Sequence, residues 1–112
     1  MRFASSFGAY EIDSLPSQPQ VAHCHGLFVH VEQRGKGLAH ALKRHQANML
    51  FELGYDYATC TVCSTNTAQK QVLQTAGWRM LSSFRSRKTG EAVELWGWTV
   101  QRVEDRPPTP SG

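Results

Sequence analysis

Apolar residues recur along the chain at two different periods, and each period predicts a different element. Short runs rich in β-branched and aromatic residues at 21–31 and 57–63 are typical of strands. Between them the spacing becomes helical, and Gly54 follows as expected after a helix C-terminus. The predicted buried face of this helix is Leu38, Leu42, Met49, Leu50 and Leu53. Its predicted outer face contains Lys43, Arg44, Gln46 and Glu52.

Weaker patterns on either side predict the remaining elements. Residues 1–15 suit one or two short strands, and Ser64, Thr65 or Asn66 can cap a second helix that ends at Gly77. Two strands joined by a turn follow that helix, and a loop with two prolines precedes the first long strand. The ranges are 14–20 for the loop, 79–87 and 92–100 for the strands, and 88–91 for the turn.

These elements predict one α/β domain over residues 1–103 with a mixed sheet. Two strands separated by a helix are parallel under the crossover rule, whereas a short turn makes the last pair antiparallel. The expected order is strand, helix, strand, helix, strand, strand, with helices on the faces of the sheet. Three prolines within Glu104–Gly112 predict a flexible tail.

A basic turn with two glycines connects the first long strand to the first helix. Glycine lets the backbone turn tightly and approach a ligand, and Gly35 and Gly37 stand where the helix begins. Free N–H groups at a helix N-terminus favour a phosphate, and Arg34 and Lys36 add positive charge beside them. The spacing matches neither a Walker A loop nor a Rossmann loop. The segment therefore predicts a strand, a phosphate-binding turn and a helix.

Composition narrows the classes of function. Of the 112 residues, 40% are hydrophobic and 19% are charged, and the net charge is +3. No apolar run reaches the ~20 residues of a membrane span, and no signal segment opens the chain. We therefore expect a cytoplasmic protein with no membrane partner. The basic residues are too scattered for a nucleic-acid surface, whereas a polyanionic small ligand needs far fewer of them.

The three cysteines raise the question of a metal site. An odd number argues against a closed disulfide framework, and Cys60 and Cys63 have the spacing of a zinc-binding pair. They lie in a predicted strand, however, where residues three apart point to opposite faces. Cys24 stands between two histidines in another predicted strand. We expect buried, reduced cysteines and no metal.

The segment Arg34–Ala39 follows the strand residues Leu27-Phe28-Val29, and Asn66 and Gly77-Trp78 bound the second helix. Together these segments resemble the GNAT superfamily of acetyl-CoA-dependent N-acetyltransferases. That family's turn reads Arg or Gln, two residues, Gly, one residue, and Gly or Ala. Its second segment commonly begins with Asn and ends with Gly before an aromatic residue. The resemblance covers about Val21 to Val100.

The resemblance implies a mixed sheet in which the family's fourth and fifth strands splay apart around acetyl-CoA. It also implies that the pantetheine arm pairs with the fourth strand, that the pyrophosphate binds amides of the glycine turn, and that Asn66 contacts the coenzyme near its thiol. The coenzyme-binding residues implied in this way are Leu27, Phe28, Val29, Arg34, Gly35, Lys36, Gly37, Leu38, Ala39, His40 and Asn66.

Two departures from the family pattern bear on activity. Leu73 stands where many members carry a Tyr that protonates the departing thiolate, and it also suits the apolar face of its helix. The family's usual first strand and two helices, which build much of the acceptor site, do not fit before its fourth strand. We therefore expect an acceptor site that is open or is completed by a second subunit in a homodimer.

The expected reaction is attack by a neutral amine on the acetyl thioester, which needs a base, an oxyanion site and a proton for the thiolate. His25 is the predicted base and His23 the second candidate, although either can instead be a packing residue. The acid stays open among Ser64, Cys63, Tyr57 and water. The sequence thus predicts an N-acetyltransferase for a primary amine of an unidentified small molecule or protein. The alternative is a weak or inactive acyl-CoA-binding regulatory module.

Overall fold

The computed structural model describes residues 1–103, and the predicted tail Glu104–Gly112 lies outside the described residues. The strands are β1 (Arg2–Ala4), β2 (Gly8–Leu15), β3 (Gln18–Val29), β4 (Tyr57–Cys63), β5 (Arg79–Arg85) and β6 (Ala92–Thr99). The helices are α1 (Leu38–Glu52) and α2 (Thr67–Thr75), and Val31–Gln33 forms a 3₁₀ turn. Neither helix of this described part is long and apolar enough to cross a membrane.

The strands form one mixed sheet in the order β1-β2-β3-β4-β6-β5. Every neighbouring pair is antiparallel except β3 and β4, which are parallel and are connected through α1. The helix α1 provides the crossover connection that a parallel pair of strands needs. The predicted mixed α/β fold and the predicted order of its elements are therefore confirmed.

Both helices pack on one face of the sheet, whereas the sequence predicted helices on its faces in general. Leu42 and Leu50 of α1 and Leu73 of α2 are buried in one core with alternate residues of the strands. The strand residues of this core include Tyr10, Ile12, Ala22, Cys24, Ala58, Cys60, Val62, Trp96 and Trp98. Within residues 1–103 no helix covers the opposite face.

The loop predicted at 14–20 is wrong, because that segment is a tight hairpin. β2 continues to Leu15 and β3 begins at Gln18, which pair across a two-residue turn. Pro16 stands in the turn, where its fixed φ is compatible with a reversal of the chain. Pro19 lies where the register between β2 and β3 shifts, so its missing N–H interrupts no regular ladder.

The predicted outer face of α1 is also wrong at two positions. Lys43 and Gln46 are only 3% and 1% exposed. The helix packs against α2 as well as against the sheet, so its buried face is wider than a single apolar stripe. The long side chain of Lys43 follows this contact, and its ammonium lies 3.9 Å from the centre of the Trp78 ring.

Candidate active site

The central parallel strands separate soon after they meet. β3 and β4 pair only at Val21↔Tyr57, Ala22↔Ala58 and His23↔Thr59. Beyond these pairs, β3 continues to pair with β2 and β4 continues to pair with β6. The backbone N–H and C=O groups that residues 24–29 direct away from β2 therefore have no strand partner. Such groups favour an extended ligand that completes the sheet.

The glycine turn lies at the wide end of this separation. Gly35 and Gly37 have φ values of +83° and +71°, a conformation that residues with a side chain rarely adopt. A Cβ at either position would meet no atom within 4 Å, so the turn is open on that side. Gly37 caps α1 without a side-chain hydrogen bond, which leaves the first N–H groups of the helix available for an anion.

A cavity of about 640 Å³ joins the strand, the turn and α2. We call it the outer cavity. Every predicted coenzyme-binding residue borders it except Lys36, whose Nζ instead donates to Gln33 Oε1 at 3.3 Å. Arg34 borders the cavity while its Nε donates to the carbonyl of Val29 at 3.1 Å. Sequence reasoning missed the further lining residues Gln33, Ala68, Gln69, Gln71 and Val72.

Asn66 connects the outer cavity to a second, smaller space. Its Oδ1 accepts from the backbone N–H of Gln69 at 3.1 Å and so caps α2, as the sequence predicted. This bond leaves the Nδ2 of Asn66 as the group that can donate to a ligand. The second space, of about 290 Å³, lies between β3 and β4 where they separate, and we call it the inner cleft. Asn66 borders both spaces.

His25 borders the inner cleft and is paired with a carboxylate that the sequence analysis missed. Its Nε2 lies 2.6 Å from Asp13 Oδ2, and its Nδ1 lies 3.8 Å from Glu11 Oε2. A carboxylate only accepts, so the neutral imidazole donates through Nε2 and keeps a lone pair on Nδ1. The hydrogen bond from His25 lowers the pKa of Asp13. Glu11 and Asp13 alternate along β2, and knowledge that β2 pairs with β3 would have indicated a carboxylate beside His25.

His23, the second candidate base, has a less favourable environment. It is half-buried, its Nδ1 lies 2.9 Å from Thr59 Oγ1, and its ring stacks on that of His25. Burial lowers the pKa of His23, and the positive charge that His25 can carry lowers it further. Since no carboxylate holds His23 in one tautomer, the geometry favours His25 as the base.

The structure identifies no side chain as the obvious proton donor for the thiolate. Leu73, which replaces the family's Tyr, is fully buried in the core. Cys63 borders the inner cleft, and its Sγ donates to Glu91 Oε2 at 3.1 Å, which raises the pKa of that thiol. Tyr57 and Ser64 border neither the outer cavity nor the inner cleft. Of the predicted acids, Cys63 is therefore the one placed beside the candidate site.

The cysteines follow the alternation expected of strands. Cys60 is buried on the helix-covered face, whereas Cys63 is partly exposed on the other face. Cys24 and Cys60 are buried side by side, and burial raises the pKa of each thiol. The described part of the chain contains no group of three His, Cys, Asp or Glu side chains that could hold a metal ion.

We expect alkaline pH to destabilise the protein through Cys24. Burial raises the pKa of its thiol from 9.0 to about 12, so the unfolded chain loses this proton first. The stability contributed by the neutral thiol is present below pH 9 and is lost progressively as the pH rises from 9 towards 12. Urea unfolding over this range should show a smaller loss in Cys24→Ala. Equal losses in both proteins would contradict the assignment.

The sequence of the chain matches one family of enzymes. The sequence model of the acetyltransferase (GNAT) family matches residues 3–78, which include strands β2 to β4, the glycine turn and both helices. The chain belongs to the GNAT family of acetyltransferases. A comparison with curated proteins by sequence finds no match. The match begins earlier than the resemblance seen in the sequence, because β1 and β2 are part of the family's domain.

Solved structures confirm the GNAT fold. The chain matches the ribosomal-protein-S18-alanine N-acetyltransferase of Escherichia coli with a TM-score of 0.73 and 14% identity, over 92% of this chain and 67% of that one. It matches a Bacillus subtilis acetyltransferase in complex with CoA at 0.75 and 14%, over 88% and 74%. It matches yncA of Salmonella typhimurium, solved with its cofactor acetyl-CoA, at 0.74 and 14%, over 85% and 58%.

These similarities define what is common to the GNAT proteins and what is not. This chain spans between 58% and 74% of the lengths of the three matched chains. At 14% identity the match concerns the fold. Two of the matched proteins were solved with CoA or acetyl-CoA, which supports the use of an acyl-CoA by the family.

Proposed function

We propose that this protein is an N-acetyltransferase that transfers the acetyl group of acetyl-CoA to a primary amine. The observation that carries the proposal is that the outer cavity at the glycine turn and the inner cleft share the lining residues Leu27, Asn66 and Gln69. The outer cavity offers helix N–H groups and Arg34 to the phosphates, and the unpaired edge of β3 offers backbone groups to the pantetheine arm. In this proposal the thioester lies near His25 and Asn66, which both border the inner cleft.

The proposed chemistry is direct acyl transfer. His25 Nδ1 accepts one proton from the acceptor, either from its ammonium group before attack or from the amine nitrogen as it attacks, while Asp13 holds the ring in one tautomer. The amine nitrogen forms a bond to the acyl carbon through a tetrahedral intermediate, the carbon–sulfur bond breaks, and the thiolate takes up a proton. Unpaired N–H groups of β3 can stabilise the oxyanion. The acceptor approaches from the face of the sheet that carries no helix within residues 1–103.

A regulatory acyl-CoA-binding module is the second candidate, and one observation favours it. Leu73 occupies the position of the usual acid and is 0% exposed, so no hydroxyl reaches the thiolate from that helix. Such a module binds the coenzyme through the same outer cavity but transfers no acyl group. The two candidates therefore share a binding site and differ in turnover.

Calorimetric titration with acetyl-CoA tests the proposal first. We expect one binding site per chain, because the outer cavity and the inner cleft share the lining residues Leu27, Asn66 and Gln69. A thiol-release assay against a panel of primary amines then separates the two candidates, since the enzyme releases free CoA and the module does not. The absence of acetyl-CoA binding by the intact protein would contradict both.

We also propose that the protein is a homodimer. β5 is an edge strand whose residues are all exposed, and Met80, Leu81 and Phe84 are each at least 50% exposed. A second copy that pairs with this edge would cover apolar surface that monomers usually bury. Sedimentation at micromolar concentration should show a dimer, and Phe84→Lys should shift it towards monomer. A monomeric wild-type protein would contradict this proposal. The cytoplasmic location expected from the sequence stays a prediction.

A further inference from the structure

Two polar side chains that border the inner cleft, those of Lys43 and Gln46, have no role in the proposed reaction. Lys43 and Gln46 are three residues apart on α1, so they project from the same side of the helix. Both border the inner cleft, although they are only 3% and 1% exposed. Cys24 and Cys60, from the two separating strands, border the cleft beside them. A buried lysine and a buried glutamine therefore border the space between the separating strands β3 and β4.

The side-chain amide of Gln46 makes no hydrogen bond within residues 1–103. Neither its Nε2 nor its Oε1 has a partner, although both atoms are buried. A buried amide without partners carries a desolvation cost that an apolar residue at the same position would avoid. The soft terminal torsion of the side chain lets the amide turn towards the cleft. A ligand in the cleft would therefore meet a donor and an acceptor that the protein leaves free.

Lys43 has no carboxylate partner in the described part of the chain. Its ammonium contacts the Trp78 ring, and no Asp or Glu borders the inner cleft. Other charged side chains do form pairs, as Lys70 does with Glu94 at 3.1 Å. Burial lowers the pKa of Lys43, which is the response expected of a buried cation without a counterion. An anionic group in the cleft would supply that counterion.

We propose that the inner cleft binds an acyl group that ends in a carboxylate, so that the protein prefers a dicarboxylic acyl-CoA to a neutral acyl-CoA of the same chain length. Lys43 and Gln46 Nε2 are the donors to the carboxylate. The inference rests on the proposed function, because the coenzyme must first bring the acyl group to the cleft.

The size and chemistry of the cleft agree with such a donor. Its volume of about 290 Å³ is roughly ten times the ~30 Å³ that a water molecule occupies in the liquid, which exceeds the need of an acetyl group. A carboxylate offers two acceptor oxygens, and Lys43 and Gln46 each offer a donor. The transfer itself is unchanged: the amine nitrogen bonds to the acyl carbon, the carbon–sulfur bond breaks, and CoA leaves as a thiolate that takes up a proton.

Two donors of equal length test the proposal. Succinyl-CoA and butyryl-CoA both carry four-carbon acyl chains, and they differ in whether the chain ends in a carboxylate or a methyl group. Calorimetric titration of the wild-type protein should show succinyl-CoA binding at least about tenfold more tightly, the usual effect of a hydrogen bond between charged groups. Lys43→Met and Gln46→Met should each reduce this ratio while butyryl-CoA binding is retained or improved.

Lys88→Met is the matched control, because it removes one positive charge from an exposed turn outside the inner cleft. It should leave the ratio unchanged. Equal or weaker binding of succinyl-CoA by the wild-type protein would overturn the inference, and intact butyryl-CoA binding would leave the coenzyme site standing. An affinity ratio of succinyl-CoA to butyryl-CoA that is the same in wild type, Lys43→Met and Gln46→Met would also overturn it. Failure of every acyl-CoA to bind would instead overturn the proposed function, and this inference with it.

Discussion

Gly37→Glu should weaken acetyl-CoA binding at least about 100-fold, equivalent to roughly 2.7 kcal/mol. Gly37 has a φ of +71° at the start of α1, and the space beside it is the outer cavity. A glutamate there would strain the backbone and place a carboxylate beside the N–H groups that are proposed to bind the pyrophosphate. Its charge would repel the phosphates directly. Calorimetric titration of wild type and variant measures the loss.

Gly90→Glu separates this effect from strain and from net charge. Gly90 has a φ of +76°, and a Cβ there also meets no atom within 4 Å. It lies in the turn between β5 and β6, outside the outer cavity. The two variants therefore carry the same added charge and a similar backbone penalty, and thermal melts should shift by similar amounts. Wild-type affinity in Gly37→Glu, or equal loss in Gly90→Glu, would contradict the proposed phosphate site.

His25→Ala should lower kcat by about 10²-fold to 10⁴-fold, the usual contribution of a general base. The affinity for acetyl-CoA should change little, because His25 borders the inner cleft and not the outer cavity. Steady-state rates with an accepted amine, together with a coenzyme titration, measure the two effects separately. Asp13→Asn should cost less, because it keeps the imidazole and removes only the carboxylate that orients it.

His23→Ala is the control for the neighbouring ring. It removes the half-buried histidine that stacks on His25 at a centroid distance of 6.0 Å, and it leaves the contact between His25 and Asp13 in place. We expect a smaller loss of kcat than in His25→Ala. A larger loss in His23→Ala would identify His23 as the base, and full activity in both variants would exclude both residues from proton transfer.

Local signals made the order of the elements and most of the residues that line the outer cavity predictable. β4 occupies the predicted range 57–63. A run rich in β-branched residues between a turn and a helix cap favours a strand. Gly35 and Gly37 adopt positive φ values, as expected of glycines in a tight turn. Asn66, one of the three predicted caps, is the residue that caps α2. Each of these features is determined within a few residues along the chain.

The features that sequence analysis missed depend on residues distant in the chain. Lys43 and Gln46 seemed solvent-facing because they are polar, and only the packing of α1 against α2 buries them. Asp13 became a partner of His25 only through the register between β2 and β3. The hairpin at Pro16 was missed because two prolines usually exclude regular pairing, whereas here they stand in a turn and at a register shift.

The sheet consists of two three-stranded antiparallel halves, β1-β2-β3 and β4-β6-β5. Three residue pairs between β3 and β4 join the two halves. In an ordinary six-stranded sheet the central amides exchange with solvent most slowly, and the edges exchange fastest. Here the amides that β3 directs into the gap should exchange like those of an edge, although they lie at the middle of the molecule. A bound coenzyme arm would act as an additional strand between the two halves of the sheet. Its binding would therefore appear as slower exchange in residues 24–29 and as a melting temperature that rises with coenzyme concentration.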